Sequence, residues 1–232
     1  HPAVCARIAS TISHDHRQVQ ATVEPIVEYV STGRPARHAH TEVSHVSGDL
    51  QVLPAEPLSP LAERVERVLE RFGYEAEPAI AAIDDAVPGY GGLFGPETTS
   101  AELRTAMDRI LETDGPQHTS PVPKGDGFVL YVDGSARNNP GPAGAGAVIL
   151  DTTGDELVRM GRPVGSRADN NTAEYVALQL GLAELLRRYN PIEVEIRIDS
   201  MTVIRSVWGD EPTTIDGTER YAGAAAELLS RL

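Results

Sequence analysis

The chain has 232 residues, 41% of them hydrophobic, one cysteine and a net charge of −14. That length suits two domains and at least one sizeable core, while a single cysteine, Cys5, excludes an internal disulfide and a cysteine-based zinc site. The longest apolar runs, such as Ala145 to Leu150, fall far short of the roughly 20 residues a spanning helix needs, and the first residues carry no basic-then-apolar leader pattern, so a cytoplasmic protein without a membrane partner is expected.

Residues 1–56 are weakly patterned, with one expected helix from Arg17 to Val30 followed by polar, proline-containing sequence. From Ser59 the signal sharpens. Ser59 suits an N-cap and Pro60 the first helical position, and Leu61, Val65, Val68, Leu69 and Phe72 fall on one helical face. A second helix is expected near Pro78 to Ala86, broken by Pro88-Gly89-Tyr90-Gly91-Gly92. Thr99 and Glu102 have capping-box spacing for a third helix through Leu103, Met107, Ile110 and Leu111. Residues 57–114 are therefore expected to form a small helical domain, and the Pro- and Gly-rich stretch 115–127 a linker.

The remainder, residues 128–232, changes character. Phe128 to Asp133 is an expected strand, Arg137 to Gly144 a tight loop, Ala145 to Leu150 a second strand and Leu157 to Pro163 a third. Thr172 to Tyr189 is a long helix stopped by Pro191. Val194, Ile196 and Ile198 alternate with Glu195 and Arg197, as a half-buried strand ending at Asp199 does. Met201 to Trp208 and Gly217 to Leu232 are helices. The order describes an α/β unit in which an antiparallel meander leads into a crossover.

Three acids stand at the ends of these elements: Asp133, Glu174 and Asp199. Carboxylates held on rigid elements can converge on hard divalent cations, which take oxygen ligands. Each acid also has a structural explanation. Asp133-Gly134 is a common turn pair, Glu174 stands three residues after Asn171 at a helix start, and Asp199-Ser200 suits an N-cap. His14-Asp15-His16 and His38-Ala39-His40 are expected to face solvent rather than metal. Gly144-Ala145-Gly146 is no phosphate loop, because it enters a strand.

The succession Tyr131-Val132-Asp133-Gly134-Ser135-Ala136, Asn139-Pro140-Gly141-Pro142-Ala143-Gly144, Asn170-Asn171-Thr172-Ala173-Glu174-Tyr175 and Ile198-Asp199-Ser200 resembles the ordered blocks of the type 1 ribonuclease H family. The resemblance covers roughly Phe128 to Leu232 and nothing before Gly127. It implies a ribonuclease H-like mixed sheet, with an antiparallel three-strand meander, a parallel strand and flanking helices. It also implies hydrolysis of the RNA strand of an RNA-DNA hybrid. Asp133, Glu174 and Asp199 would be three of four metal-binding carboxylates, holding two Mg²⁺ or Mn²⁺ ions about 4 Å apart. Gly134, Ser135, Ala136, Asn139, Asn170 and Asn171 would touch the hybrid, sensed through its 2′-hydroxyls and its wide, shallow minor groove. For Asn139 turn geometry, and for Asn171 helix capping, are the structural alternatives.

Two departures accompany the resemblance. Met201 stands where bacterial members often carry a glutamine that bonds the hybrid, and the fourth acid, with a last strand and helix, would lie beyond Leu232. The chain begins with His1 rather than Met and stops inside the expected helix Gly217 to Leu232, so both ends are expected to be cut, and this form is expected to be poorly folded or inactive even where the natural protein is an enzyme. Asp210 and Asp216 are expected in loops. The charge is acidic throughout, −6 from Asp126 onward and −8 before it, with Lys124 the sole lysine. That balance is similar to proteins of salt-loving archaea, in whose brine surface repulsion is screened within about 3 Å at 1 M salt. A hybrid would be held by metal bridges, hydrogen bonds and shape, since counterion release contributes little there. A monomer is expected, and for the front half the options are a nucleic-acid tether and a protein-interaction domain, of which its acidity favours the latter. The alternatives are a non-catalytic module of the same fold that binds hybrids or a protein, and an integrase-like nuclease with another substrate.

Overall fold

The computed structural model describes residues 5–8, 56–88, 92–94, 97–113, 125–209 and 217–232. The expected helix Arg17–Val30, both histidine clusters, most of the linker, Asp210 and Asp216 lie outside them. None of the described helices is long and apolar enough to cross a membrane.

Five strands form one mixed sheet: β1 (Cys5–Ile8), β2 (Gly127–Ala136), β3 (Gly141–Asp151), β4 (Glu156–Ala168) and β5 (Glu193–Arg197), in the order β1-β5-β2-β3-β4. The β2-β3-β4 meander is antiparallel and β5 runs parallel to β2, the arrangement expected from the sequence. Strand β1, from the weakly patterned start, adds a parallel edge beside β5. Such a short segment, without alternation, carries no strand signal of its own.

Helix α4 (Asn170–Glu184) crosses one face of the sheet and α6 (Glu219–Arg231) packs against it; between them α5 (Met201–Val207) follows β5. Leu130, Val132, Ile149, Tyr175, Leu178, Leu182 and Ile196 are among the side chains closing this core. The helix lies close to the strand because Gly181 has no side chain: a Cβ there would meet Leu130 Cδ1 at 2.4 Å. The α-helix ends sooner than expected, since Leu185–Tyr189 relaxes into a π turn and Asn190 closes it in the left-handed region.

Before the sheet come α1 (Pro60–Arg71), α2 (Ala76–Ala86) and α3 (Ser100–Glu112). The start signals work as read. Ser59 accepts from the Ala62 N–H, and Thr99 and Glu102 form both bonds of a capping box, a device worth about 1 kcal/mol. Leu61, Val65, Val68, Ile83, Leu103 and Met107 make a second core.

This helical unit sits against the outer strand β4. Glu75 bridges to Met160, the Gly161 N–H donates to the Tyr74 carbonyl at 3.0 Å, and the Ser166 N–H donates to Pro57 at 3.1 Å. A sheet edge otherwise open to pairing is thereby covered. Buried charges line the contact. Arg162, 4% exposed, pairs with Glu66 and lies over the Tyr74 ring, while Arg188 joins Glu75 at 3.2 Å to Glu184 at 3.0 Å.

Candidate metal centre

Strand β2 does not stop at its acid. The Asp-Gly pair expected to close a strand lies inside the ladder, with Asp133 opposite Gly146, Ser135 opposite Gly144 and Ala136 opposite Ala143. Small residues on β3 admit the extension, and β3 starts at Gly141 rather than Ala145. The turn contracts to Arg137–Pro140. Asn138 takes a left-handed φ of 59° there, and the Arg137 N–H donates to Pro142 at 2.9 Å. Gly141 is required at its exit, because a Cβ would lie 1.7 Å from the Arg137 carbonyl oxygen.

Helix α4 likewise begins two residues earlier than Thr172. Its N-cap is Asp169, which accepts from the Thr172 N–H at 2.6 Å, so the capping alternative for Asn171 does not hold. Asn171 is a helical residue, and Glu174 turns away from any capping role toward the sheet. The contact is close because Gly134 has no side chain: a Cβ there would stand 2.3 Å from both the Ala173 carbonyl carbon and the Glu174 nitrogen. The third acid follows β5, and Ser200 behind it caps α5 by accepting from Val203.

Carboxylate oxygens of Asp133, Glu174 and Asp199 lie within 4.8 Å of one another. Asp133 and Glu174 are buried and Asp199 is exposed. Burial first, then the Asp133 and Asp199 charges, raises the Glu174 carboxyl well above its ordinary range; the Gly134 N–H, donating to it, opposes the shift. Glu174 Oε2 is buried and accepts no hydrogen bond among the described residues. The cleft over the acids is lined by Asp133, Gly134, Ser135, Asn170, Glu174, Asp199 and Ser200. Three carboxylates, one with an oxygen left unsatisfied, and no nitrogen or sulfur ligand in the lining suit a hard cation such as Mg²⁺ or Mn²⁺.

Of the residues expected to touch a hybrid, Gly134, Ser135 and Asn170 line this cleft. Ala136, at the end of β2, and Asn171 do not. Asn139 is exposed on the hairpin and its side-chain oxygen accepts from the Asn170 N–H at 2.9 Å. Ser200 was legible only as a cap, and its place in the lining follows from adjacency to Asp199.

Residues 131–232 match a family profile described as reverse transcriptase-like. Over 100 residues the chain is 37% identical to ribonuclease HI of Halobacterium salinarum, across 43% of this chain and 49% of that protein. To the solved RNase H1 of the same archaeon it is 33% identical, covering 46% of this chain and 79% of that one, with a TM-score of 0.42. Residues 131–232 are thus of the ribonuclease HI type. A ribonuclease H relative solved with an RNA/DNA hybrid bound, LC11-RNase H1, is 32% identical over 44% of this chain and 76% of its own, with a TM-score of 0.41. The chain spans about half the length of the Halobacterium ribonuclease HI, and the residues matched by the family profile, 131–232, include the three acids.

Proposed function

We propose that the chain hydrolyses the RNA strand of RNA-DNA hybrids at the Asp133, Glu174 and Asp199 cluster. The observation that carries this reading is the convergence of the three carboxylates within 4.8 Å, in a segment of the ribonuclease HI type. A relative of this type has been solved with such a hybrid.

Asp133, Glu174 and Asp199 would hold two divalent cations. When bound, these supply a more acidic attacking water and charge stabilisation at phosphorus and at the leaving 3′ oxygen. Every other contribution comes from the chain. Strand β2, the first turn of α4 and the end of β5 hold the acids on rigid elements, so little reorganisation accompanies the reaction. Ser135 and Asn170 in the cleft offer polar groups to the sugar-phosphate backbone of a strand lying over it. Selection for RNA would rest on its 2′-hydroxyl, a group that DNA lacks.

The test is cleavage of a labelled RNA strand within a hybrid, in concentrated salt with Mg²⁺ or Mn²⁺, by the full-length gene product and by its Asp133→Asn variant. Cutting by the wild type that the variant loses, and that spares single-stranded RNA and duplex DNA, is the expected result. A folded protein that binds the hybrid without cutting it would instead be a non-catalytic module.

A further inference from the structure

The elements that carry Glu174 and Asp199 are tied by a hydrogen bond that involves neither acid. Tyr175 follows Glu174 on α4 and is fully buried. Its hydroxyl meets that of Ser206 on α5, 31 residues away in the chain. Ser206 donates its own proton to the Val203 carbonyl at 3.2 Å, so the Tyr175 hydroxyl is the donor between the two. Val203 in turn gives its N–H to Ser200 Oγ, the cap of α5, at 3.4 Å. Ser200 follows Asp199 and lines the cleft. A run of hydrogen bonds thus leads from the neighbour of one acid to the neighbour of another.

We propose that the Tyr175–Ser206 bond holds Asp199 against Glu174, which makes Tyr175 and Ser206 positioning residues of the metal centre. The proposal rests on the metal-binding reading above. Asp199 needs such support more than the other two acids. Asp133 stands inside a ladder and Glu174 in an α-helix of 15 residues. Asp199 is exposed and lies past the last pair of β5 with β2, Arg197 opposite Tyr131. Behind it α5 has seven residues, of which Val203 alone is fully buried, while Ile204 and Val207 are partly buried against the core. So small an apolar seat is non-directional and lets a short helix rotate or slide; a directional bond from a fully buried ring opposes that motion. Carboxylates within 4.8 Å of one another also repel until a cation joins them, so their nearness has to be imposed by the elements behind them.

Four variants separate positioning from stability. Tyr175→Phe removes one oxygen and leaves Ser206 bonded to Val203, so no buried donor is orphaned. Ser206→Ala strands the Tyr175 hydroxyl in the core and should lower Tm further. Ser206→Thr keeps a hydroxyl, and Ile83→Val weakens only the core of the helical unit. Mn²⁺ titrated into the ¹⁵N-labelled 232-residue chain broadens the amide signals nearest to it. Those of Ser135, Glu174 and Ser200 report the cleft rather than the acidic surface. Tyr175→Phe and Ser206→Ala are both expected to bind Mn²⁺ about tenfold more weakly, equally so despite their different Tm values, with the Ser200 amide displaced before any metal is added. Ser206→Thr and Ile83→Val should bind as the wild type does. Mn²⁺ affinity that follows Tm across the four variants, or undiminished binding by Tyr175→Phe, overturns the positioning role and leaves the metal centre intact. Wild-type cleft amides that no Mn²⁺ concentration broadens sink the metal-binding reading, and this proposal with it.

Discussion

Gly134 donates its backbone N–H to the Glu174 carboxylate, and a Cβ on Gly134 would stand 2.3 Å from the Glu174 nitrogen. The absence of a side chain on β2 thus sets how near α4 approaches, and that approach brings the second acid to the first. Gly134→Ala must push backbone rather than a flexible side-chain tip, an overpacking that costs about 1–3 kcal/mol. The expected result is a folded protein that has lost at least about tenfold in Mn²⁺ affinity, since ligand placement is what fails. Isothermal titration with Mn²⁺, beside circular dichroism to confirm the fold, checks it.

Glu174 also makes metal binding and stability depend on pH. Its folded carboxyl is held above the ordinary value of 4.5, by burial first and then by Asp133 and Asp199. Between those two values the folded chain holds a proton that the unfolded chain has released, so stability falls as pH rises. Without metal, stability from this group is fully present below about pH 4.5 and is lost as pH climbs through the raised folded value. A cation favours the ionised form, so metal stabilisation should grow across the same window. Thermal melts in EDTA and in Mn²⁺ should diverge with rising pH, and Glu174→Gln should flatten both trends.

How much of this was legible in the sequence depends on the range of the interaction. The caps at Ser59 and at Thr99 with Glu102 are local, and they stand where the spacing put them. The three acids were legible by order and context. Asp133-Gly134 has the composition of a turn, and its place inside a ladder depends on the small residues of β3 opposite. Asp169 and Asn171 are both good caps, so which one begins α4 is set by the helix's tertiary seat. Arg162 in a strand has the look of a solvent-facing residue. Its burial comes from Glu66, 96 positions away in the chain, which no local pattern reports.

The Arg162–Glu66 pair makes an asymmetric prediction. Both side chains are removed from water between α1 and β4, and burial raises the Glu66 carboxyl. Arginine does not give up its proton in a protein, whereas a glutamate left alone can take one up and become neutral. Glu66→Gln therefore strands a charge and should cost about 3–5 kcal/mol. Arg162→Met leaves a group that neutralises itself and should cost less. A double replacement by apolar residues should recover much of the loss. Urea unfolding of the three variants at neutral pH gives the ranking, and equal costs for the two single changes would contradict it.

The same contact bears on whether the helical unit and the sheet unfold together. Tyr74, Glu75 and Pro57 hold the backbone of β4 at three points, and Arg188 is shared between Glu75 of the helical unit and Glu184 at the end of α4. Separating the units would uncover a sheet edge, leave Arg162 without Glu66 and take Glu75 away from Arg188, penalties that fall on both sides at once. A single cooperative transition is expected. Trp208, the one tryptophan, reports the sheet side, and far-ultraviolet circular dichroism reports all helices, including α1 to α3. The two signals should change at the same urea concentration. Residues 114–232 expressed alone should aggregate or melt well below the whole chain. Two separated transitions, with the fragment stable by itself, would mean that the buried ion pairs contribute little to holding the units together.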